Sequence, residues 1–338
     1  MVTTFRPTRA PRGRLVRLGV VLDTRNPPHR VQEIARMCDG AGIDALWARD
    51  RLGAPDGVRR FDALTTLTLV APQVARARVG AQLAVDRHPA ATLAAMAGTL
   101  DAAIGGRLEI GLSPETMQAA TSGDDGPDLG QAERLTEYAL AVRAVLTGEG
   151  ADVAGAPDGR VLHRDLSPTQ PGGPVLSIEA ATSWHLEVAA AVADDVLLPP
   201  ARAGEAGASV AAALTACRDA GRDPDTLGIA MEVPVSIGRT RAEAEARAEA
   251  EPLFGVIGHP ADVGVFGTLE QCQGRVIELA HAGVRDLRCV LPNSDDVHDV
   301  IAQLTAVAIG SVEVLTPNAP RSKDPDPPET WGGRRARR

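Results

Sequence analysis

The chain has 338 residues, of which 44% are hydrophobic and 23% charged, and it carries a formal net charge of -9 at neutral pH. That acidic balance argues against nucleic acid or an anionic membrane as the main partner, because the one basic cluster is the tail Arg334 to Arg338. Aromatic residues make up only 2%, so the core must be built from Leu, Val, Ile and Ala, as in a parallel sheet under Ala-rich helices.

In chain order, "RLVRLGVVLD" (14–23) reads as a strand and 29–42 as a helix with Val31, Ile34 and Cys38 at helical spacing. "IDALWA" (43–48) is the second strand, 61–74 a helix ending near Pro72, and "ARVGAQLAV" (77–85) the third strand. The helix at 89–106 starts on a proline and stops at Gly105-Gly106. "RLEIGL" (107–112) and a helix at 131–148 complete the fourth unit, followed by an irregular Gly-, Pro- and Asp-bearing stretch at 149–173 that reads as an insertion. The alternation resumes with strands at 174–180, 194–199, 226–238 and 284–292, and helices at 183–193, 204–221, 268–283 and 295–310. A second insertion is expected at 239–266.

Eight strands, each followed by a helix, call for an α/β fold with a parallel sheet closed as a (β/α)8 TIM barrel, with insertions after helix four and strand seven. An open doubly wound sheet is the alternative, but "LDTRNP" stands where its GxGxxG would follow strand one. The barrel domain is expected over 14–316, with an N-terminal extension at 1–13 and a tail at 317–338. Cys38, Cys217, Cys272 and Cys289 form no CxxC pair, which points to reduced thiols in a cytoplasmic protein. The seven histidines lack ligand spacing, so no metal is expected, and no segment reads as a signal peptide or membrane span.

In a barrel the reactive groups lie at the C-terminal ends of the strands. Those ends carry Asp23, then Asp50-Arg51, then Asp86-Arg87-His88, Ser113-Pro114-Glu115, Glu179 to Ser183, Leu198-Pro199 and Pro292-Asn293. Ionisable groups around an apolar mouth suit a small-molecule site, although barrel rims are polar in any case. The stretch "EAATSWHLE" (179–187) puts small residues and hydroxyls before a helix. Its free N–H groups could hold a phosphate, and Thr182 or Ser183 serves equally as a plain N-cap.

Taken together, these blocks resemble the luciferase-like family of flavin- and deazaflavin-dependent oxidoreductases. The resemblance rests on "EIARMCDGAGIDALWARD", on the long block from Ala75 to Glu115, on "QAERLTEYALAVRAVLTGEG", on "PVLSIEAATSWHLEVAAAVADDVLLP" and on "FGTLEQCQGRVIELAHAGVRDLRCVLP". It implies a barrel holding a flavin-like ring at its mouth, with the phosphate at Ala180, Ala181, Thr182 and Ser183. A strained, often cis, peptide near Gly80, Ala81 and Gln82 would support the ring. The loop "AATSW" is nearer the form used with coenzyme F420 than the Gly-Gly-Ser form used with FMN, which favours the deazaflavin.

By the same resemblance Asp50 would orient ring or substrate, and Glu115 would protonate the product. Asp23, Arg51 and His88 would face the substrate, His88 serving equally as a structural residue. Alcohol-oxidising members carry Asp-His after strand two, where this chain has Asp50-Arg51. Arginine cannot act as a base near neutral pH, so Arg51 suits a carboxylate or a developing oxyanion. The expected reaction is hydride transfer between the deazaflavin and a small, possibly carboxylated, substrate. The alternatives are an FMN- and oxygen-dependent monooxygenase served by a flavin reductase, and a non-catalytic relative in which Trp184 fills the phosphate site. The resemblance also implies a homodimer through helices of the first units.

Overall fold

The computed structural model describes residues 5–50, 60–85, 87–114, 129–148 and 169–315. Nine parallel strands run β1 (Arg17–Leu22), β2 (Ala45–Arg49), β3 (Arg78–Ala84), β4 (Leu108–Ser113), β5 (Val175–Glu179), β6 (Asp195–Leu198), β7 (Gly228–Ile237), β8 (Val265–Gly267) and β9 (Asp286–Val290). Eight of them close a ring in the order β1-β2-β3-β4-β5-β6-β7-β9, sealed where Val20 lies beside Cys289 and Val196 beside Ile229. β8 sits outside the ring, against Val235–Ile237 of β7. This is the TIM barrel that the alternation predicts.

The period-2 alternation of each strand divides its side chains between two layers. Leu18, Val20 and Leu22 of β1, like Leu46 and Ala48 of β2, join the apolar core under the helices. That helical layer comprises α1 (Pro28–Ala41), α2 (Ala63–Val70), α3 (Ala90–Ala103), α4 (Leu129–Thr147), α5 (Ser183–Val192) and α6 (Ala206–Asp219). Beyond these come α7 (Arg241–Glu249), the single turns α8 (Phe254–Ile257) and α9 (Pro260–Val263), α10 (Leu269–Ala282) and α11 (Val297–Leu315). α2 stops at Val70, short of the expected 74, and tightens into a 3-10 turn over Ala71–Gln73 because Pro72 has no N–H for the ladder.

The stretch 239–266, expected as an insertion after strand seven, is ordered as α7, α8, α9 and most of β8. Its own small core explains this: Ala244, Ala248, Phe254 and Phe266 pack with Val290. The Thr240 side chain accepts from the Glu243 N–H to start α7.

The barrel interior is unusually polar, in three layers. At the bottom the Arg17 guanidinium holds Glu109 at 2.9 Å, with Arg78 on the same carboxylate and Asp286 3.8 Å from Arg17. Residues 5–8 close this end: Thr8 donates its N–H to Asp195 at 2.7 Å, and Phe5 stacks on the Arg222 guanidinium at 3.3 Å. In the middle, Trp47 lies 3.5 Å from the Arg288 guanidinium, which donates to Gln82 (2.9 Å) and Ser177 (3.0 Å). Gly80 makes this stack possible, since a Cβ there would sit 2.4 Å from the Trp47 ring. The top layer belongs to the mouth.

Candidate active site

At the mouth, Arg49 ends β2 and reaches two other strands. Its Nη1 donates to Glu232 of β7 at 2.6 Å, and its Nη2 to both oxygens of Glu179 on β5 at 2.5 and 2.6 Å. Ser113, the last residue of β4, donates to Glu179 at 2.7 Å. Arg49 is only 8% exposed, so the pairs work in a medium far less screening than water. They form the floor of the mouth.

Asp50 follows immediately and is 2% exposed. Its N–H continues the ladder to the Gln82 carbonyl, its Oδ1 accepts from Ala63 N–H at the start of α2, and Arg87 lies 3.2 Å away. Its Oδ2 is buried with no partner among the described residues. Burial pushes the Asp50 carboxyl above its ordinary range, against the Ala63 hydrogen bond and Arg87. A buried carboxyl with its pKa shifted upward is a candidate for proton transfer.

Asp23 closes a rim clamp. Arg25 donates to it at 2.8 and 2.9 Å and meets Glu251 at 2.8 Å, while Glu251 also accepts from the Asn293 N–H at 2.8 Å. The ends of β1 and β9 and the segment after α7 are thereby tied together. His88 is held by its carbonyl, which accepts from Tyr138 at 2.8 Å, and its Nε2 is buried with no partner among the described residues.

The loop entering α5 leaves Ala181, Thr182 and Ser183 exposed. Thr182 is in extended geometry and does not cap the helix; its hydroxyl pairs with His185 Nδ1 at 2.9 Å. The N–H groups of Ser183, Trp184 and His185 have no acceptor among the described residues. Burial pushes His185 down to about 4, partly opposed by Glu179, so it stays neutral near pH 7. Trp184 points inward, 9% exposed in the main core with its ring 3.8 Å from that of His185, and does not fill the loop.

Other sequence expectations shift. Gly80 and Gln82 lie beneath the mouth, one under Trp47 and the other on Arg288, while Ala81 faces the helical core. All three are buried, so none presents a bare backbone surface at the rim. No cis peptide occurs among the described residues, which corrects the expectation of one in β3; the filled interior on one side and the core on the other suit an ordinary extended strand. Arg51 and Glu115 lie outside the described residues. Glu232 and Glu251 escaped the sequence reading, although for Glu232 a charge inside an apolar run, "AMEVP", is the signal that marks it.

A small cavity of about 40 Å3 opens beside the floor, between Val21, Leu22, Leu253, Ile257, Val290 and Leu291, with Arg49 and Glu232 below. Asp23, Thr24 and Arg60 complete it. A larger space of about 730 Å3 lies away from the strand ends, between α2 and α3, and is lined by Leu64, Ala95, Met96 and Leu100 among others. It is a surface groove on the helical layer.

A closed parallel barrel with charged groups on the C-terminal strand ends and an open helix N-terminus after β5 is the layout of a small-molecule enzyme site. The chain belongs to the luciferase-like monooxygenase family, whose model matches residues 15–286. It is 23% identical over 310 residues to the 5,10-methylenetetrahydromethanopterin reductase of Methanolobus tindarius, covering 80% of this chain and 92% of that one. Among solved structures it resembles an F420-dependent secondary alcohol dehydrogenase in complex with an F420-acetone adduct (TM-score 0.71, 16% identity, 88% of this chain and 99% of that one). It also resembles the monooxygenase RslO1 from Streptomyces bottropensis (TM-score 0.68, 17% identity, 87% and 98%).

Proposed function

We propose that this chain is an oxidoreductase that transfers hydride between coenzyme F420 and a small organic electrophile at the barrel mouth. The observation that carries the reading is the N-terminus of α5. Three N–H groups without acceptors, beside the exposed Ala181, Thr182 and Ser183, suit a phosphate held by backbone donors and the helix dipole. The inward Trp184 leaves that face open, which speaks against the non-catalytic reading. The likeness to an F420-dependent alcohol dehydrogenase supports the deazaflavin reading.

When bound, the deazaflavin supplies or accepts the hydride. The cavity beside Arg49 holds about three water-sized volumes, enough for a small substrate group and too little for a tricyclic ring. Asp50, whose burial favours the protonated carboxyl, is placed to exchange a proton with substrate or product through Oδ2. The Arg49 ion pairs keep the floor rigid and closed to water from below. Arg51 and Glu115 belong to the same proposal by their place after β2 and β4 in the sequence.

Two titrations test the reading, one with F420 and one with FMN, each followed by the cofactor's fluorescence. Binding of F420 and turnover with its reduced form support it, and binding of neither cofactor overturns it. FMN binding with oxygen consumption would instead favour the monooxygenase reading, which the likeness to RslO1 motivates and which requires a flavin reductase. The groove between α2 and α3, with Leu69 and Met96 exposed, supports a homodimer through that face. Among the described residues no helix is long and apolar enough to cross a membrane, and the four buried cysteines are unpaired, which supports the cytoplasm.

A further inference from the structure

A threonine just before a helix ordinarily spends its hydroxyl on the helix's own first N–H groups. Thr182 stands in that place with the extended backbone the role requires, yet its side chain caps nothing. Its Oγ1 lies 2.9 Å from Nδ1 of His185 instead. The sequence leaves Thr182 equally suited to capping α5 and to holding a phosphate; the contact with His185 separates the two.

His185 is wholly buried, and its Nε2 has no partner among the described residues. Burial keeps the ring neutral near pH 7, so one nitrogen carries a proton and the other does not. With the proton on Nε2, a buried N–H would face no acceptor, and orphaned N–H groups of that kind are rare. With the proton on Nδ1, that N–H donates to Thr182 Oγ1, and Nε2 is only a bare lone pair. Glu179, the carboxylate that acts on this ring, is engaged by Arg49 and Ser113. A hydroxyl that accepts from Nδ1 still has its own proton to give, and Thr182 is exposed, so that proton is offered outward.

We infer that His185 is a positioning residue: its Nδ1–H turns the Thr182 hydroxyl away from α5 and makes it a donor to an anionic phosphate on the helix N-terminus. This rests on the proposed phosphate site and deepens it by naming what arms it. The one contact removes a competing acceptor from the N–H groups of Ser183, Trp184 and His185, and sets a fourth donor beside them.

The test uses the full chain without cofactor and inorganic phosphate as the probe. Heteronuclear NMR of the labelled imidazole reads the His185 tautomer, and the amide shifts at the start of α5 read phosphate binding. A proton on Nδ1 is expected; a proton on Nε2 overturns the inference. Thr182→Val and His185→Phe should each weaken phosphate about threefold or more, as the loss of one hydrogen bond does. The combined variant should bind no more weakly than His185→Phe alone, because the hydroxyl freed there only competes for the helix N–H groups. A purely structural effect of His185 would add to that of Thr182→Val, so additive losses overturn the inference. Phosphate binding unchanged by Thr182→Val also overturns it while the phosphate site stands, and that reading needs no change in the core if His185→Phe folds poorly. Wild-type amides that ignore phosphate overturn the site and the inference together.

Discussion

Arg49 ends β2 and Glu232 lies midway along β7, two strands that are not neighbours in the ring, with Nη1 2.6 Å from Oε2. The pair ties β2 to β7 across the mouth, and the second arm of the same guanidinium reaches Glu179 on β5. Arg49→Ala leaves two carboxylates facing each other with little water, and is expected to cost about 3–5 kcal/mol of stability. Arg49→Ala combined with Glu232→Ala should recover part of that loss. Urea unfolding of the four proteins in the cycle measures the coupling; strictly additive effects would contradict a direct pair.

Gly80 is the space that Trp47 occupies. Gly80→Ala places a methyl 2.4 Å from the ring between fixed strands, so the indole must leave its position over Arg288. The expected cost is about 1–3 kcal/mol or more, with a shift in tryptophan emission as Trp47 is displaced. Unchanged emission and stability would show that the interior is looser than described.

The Asp195 carboxyl is pushed up to about 7 by burial, against its hydrogen bonds from Thr8 and with Glu109 and Asp286 adding repulsion. The folded chain therefore binds this proton more tightly than the unfolded chain does. Its contribution favours folding fully below about pH 4 and is lost as pH rises through about 7. Glu109 works in the opposite sense: burial raises it, Arg17 and Arg78 outweigh that, and its contribution is lost as pH falls. Subtracting the unfolding free energy of Asp195→Asn from that of the wild type across pH 4 to 8 isolates the first effect. A flat difference would refute it.

Ala181 is exposed two residues before the first residue of α5, Ser183. Ala181→Asp places a negative charge near the helix N-terminus, which should stabilise the free protein by about 0.3–1 kcal/mol through the helix dipole. The same charge should repel a bound phosphate and weaken F420 at least severalfold. Melting temperature and fluorescence titration read the two effects separately; tighter cofactor binding would place the phosphate elsewhere.

Met96 lines the α2–α3 groove and is 38% exposed. If that groove joins two copies, Met96→Arg buries an unpaired charge at the interface and converts a dimer to a monomer of unchanged secondary structure. Light scattering after gel filtration gives the mass of each. A wild-type monomer would dispose of the proposal.

The strands and helices were legible because each has a single period. Val31, Ile34 and Cys38 fall on one helical stripe, and Leu18, Val20 and Leu22 on one strand face, and both patterns bury as expected. The stretch 239–266 was not legible, because α7 is Ala- and Glu-rich with few apolar positions, and its partners Phe266 and Val290 come from later in the chain. At the site, Asp50 could be placed at the end of a strand, but its unpartnered Oδ2 depends on where α2 and Arg87 lie.

Local patterning by itself determined the number of β/α units, their parallel closure and the side of the barrel on which chemistry collects, because periodicity and strand polarity act over a few residues at a time. Only the tertiary structure decided which charges meet. Arg49 and Glu232 are 183 residues apart in the chain, and their 2.6 Å contact exists because ring closure brings the end of β2 and the middle of β7 together. Whether a charged residue in an apolar run is a surface group or the floor of a site depends on that long-range geometry, which no short window of sequence contains.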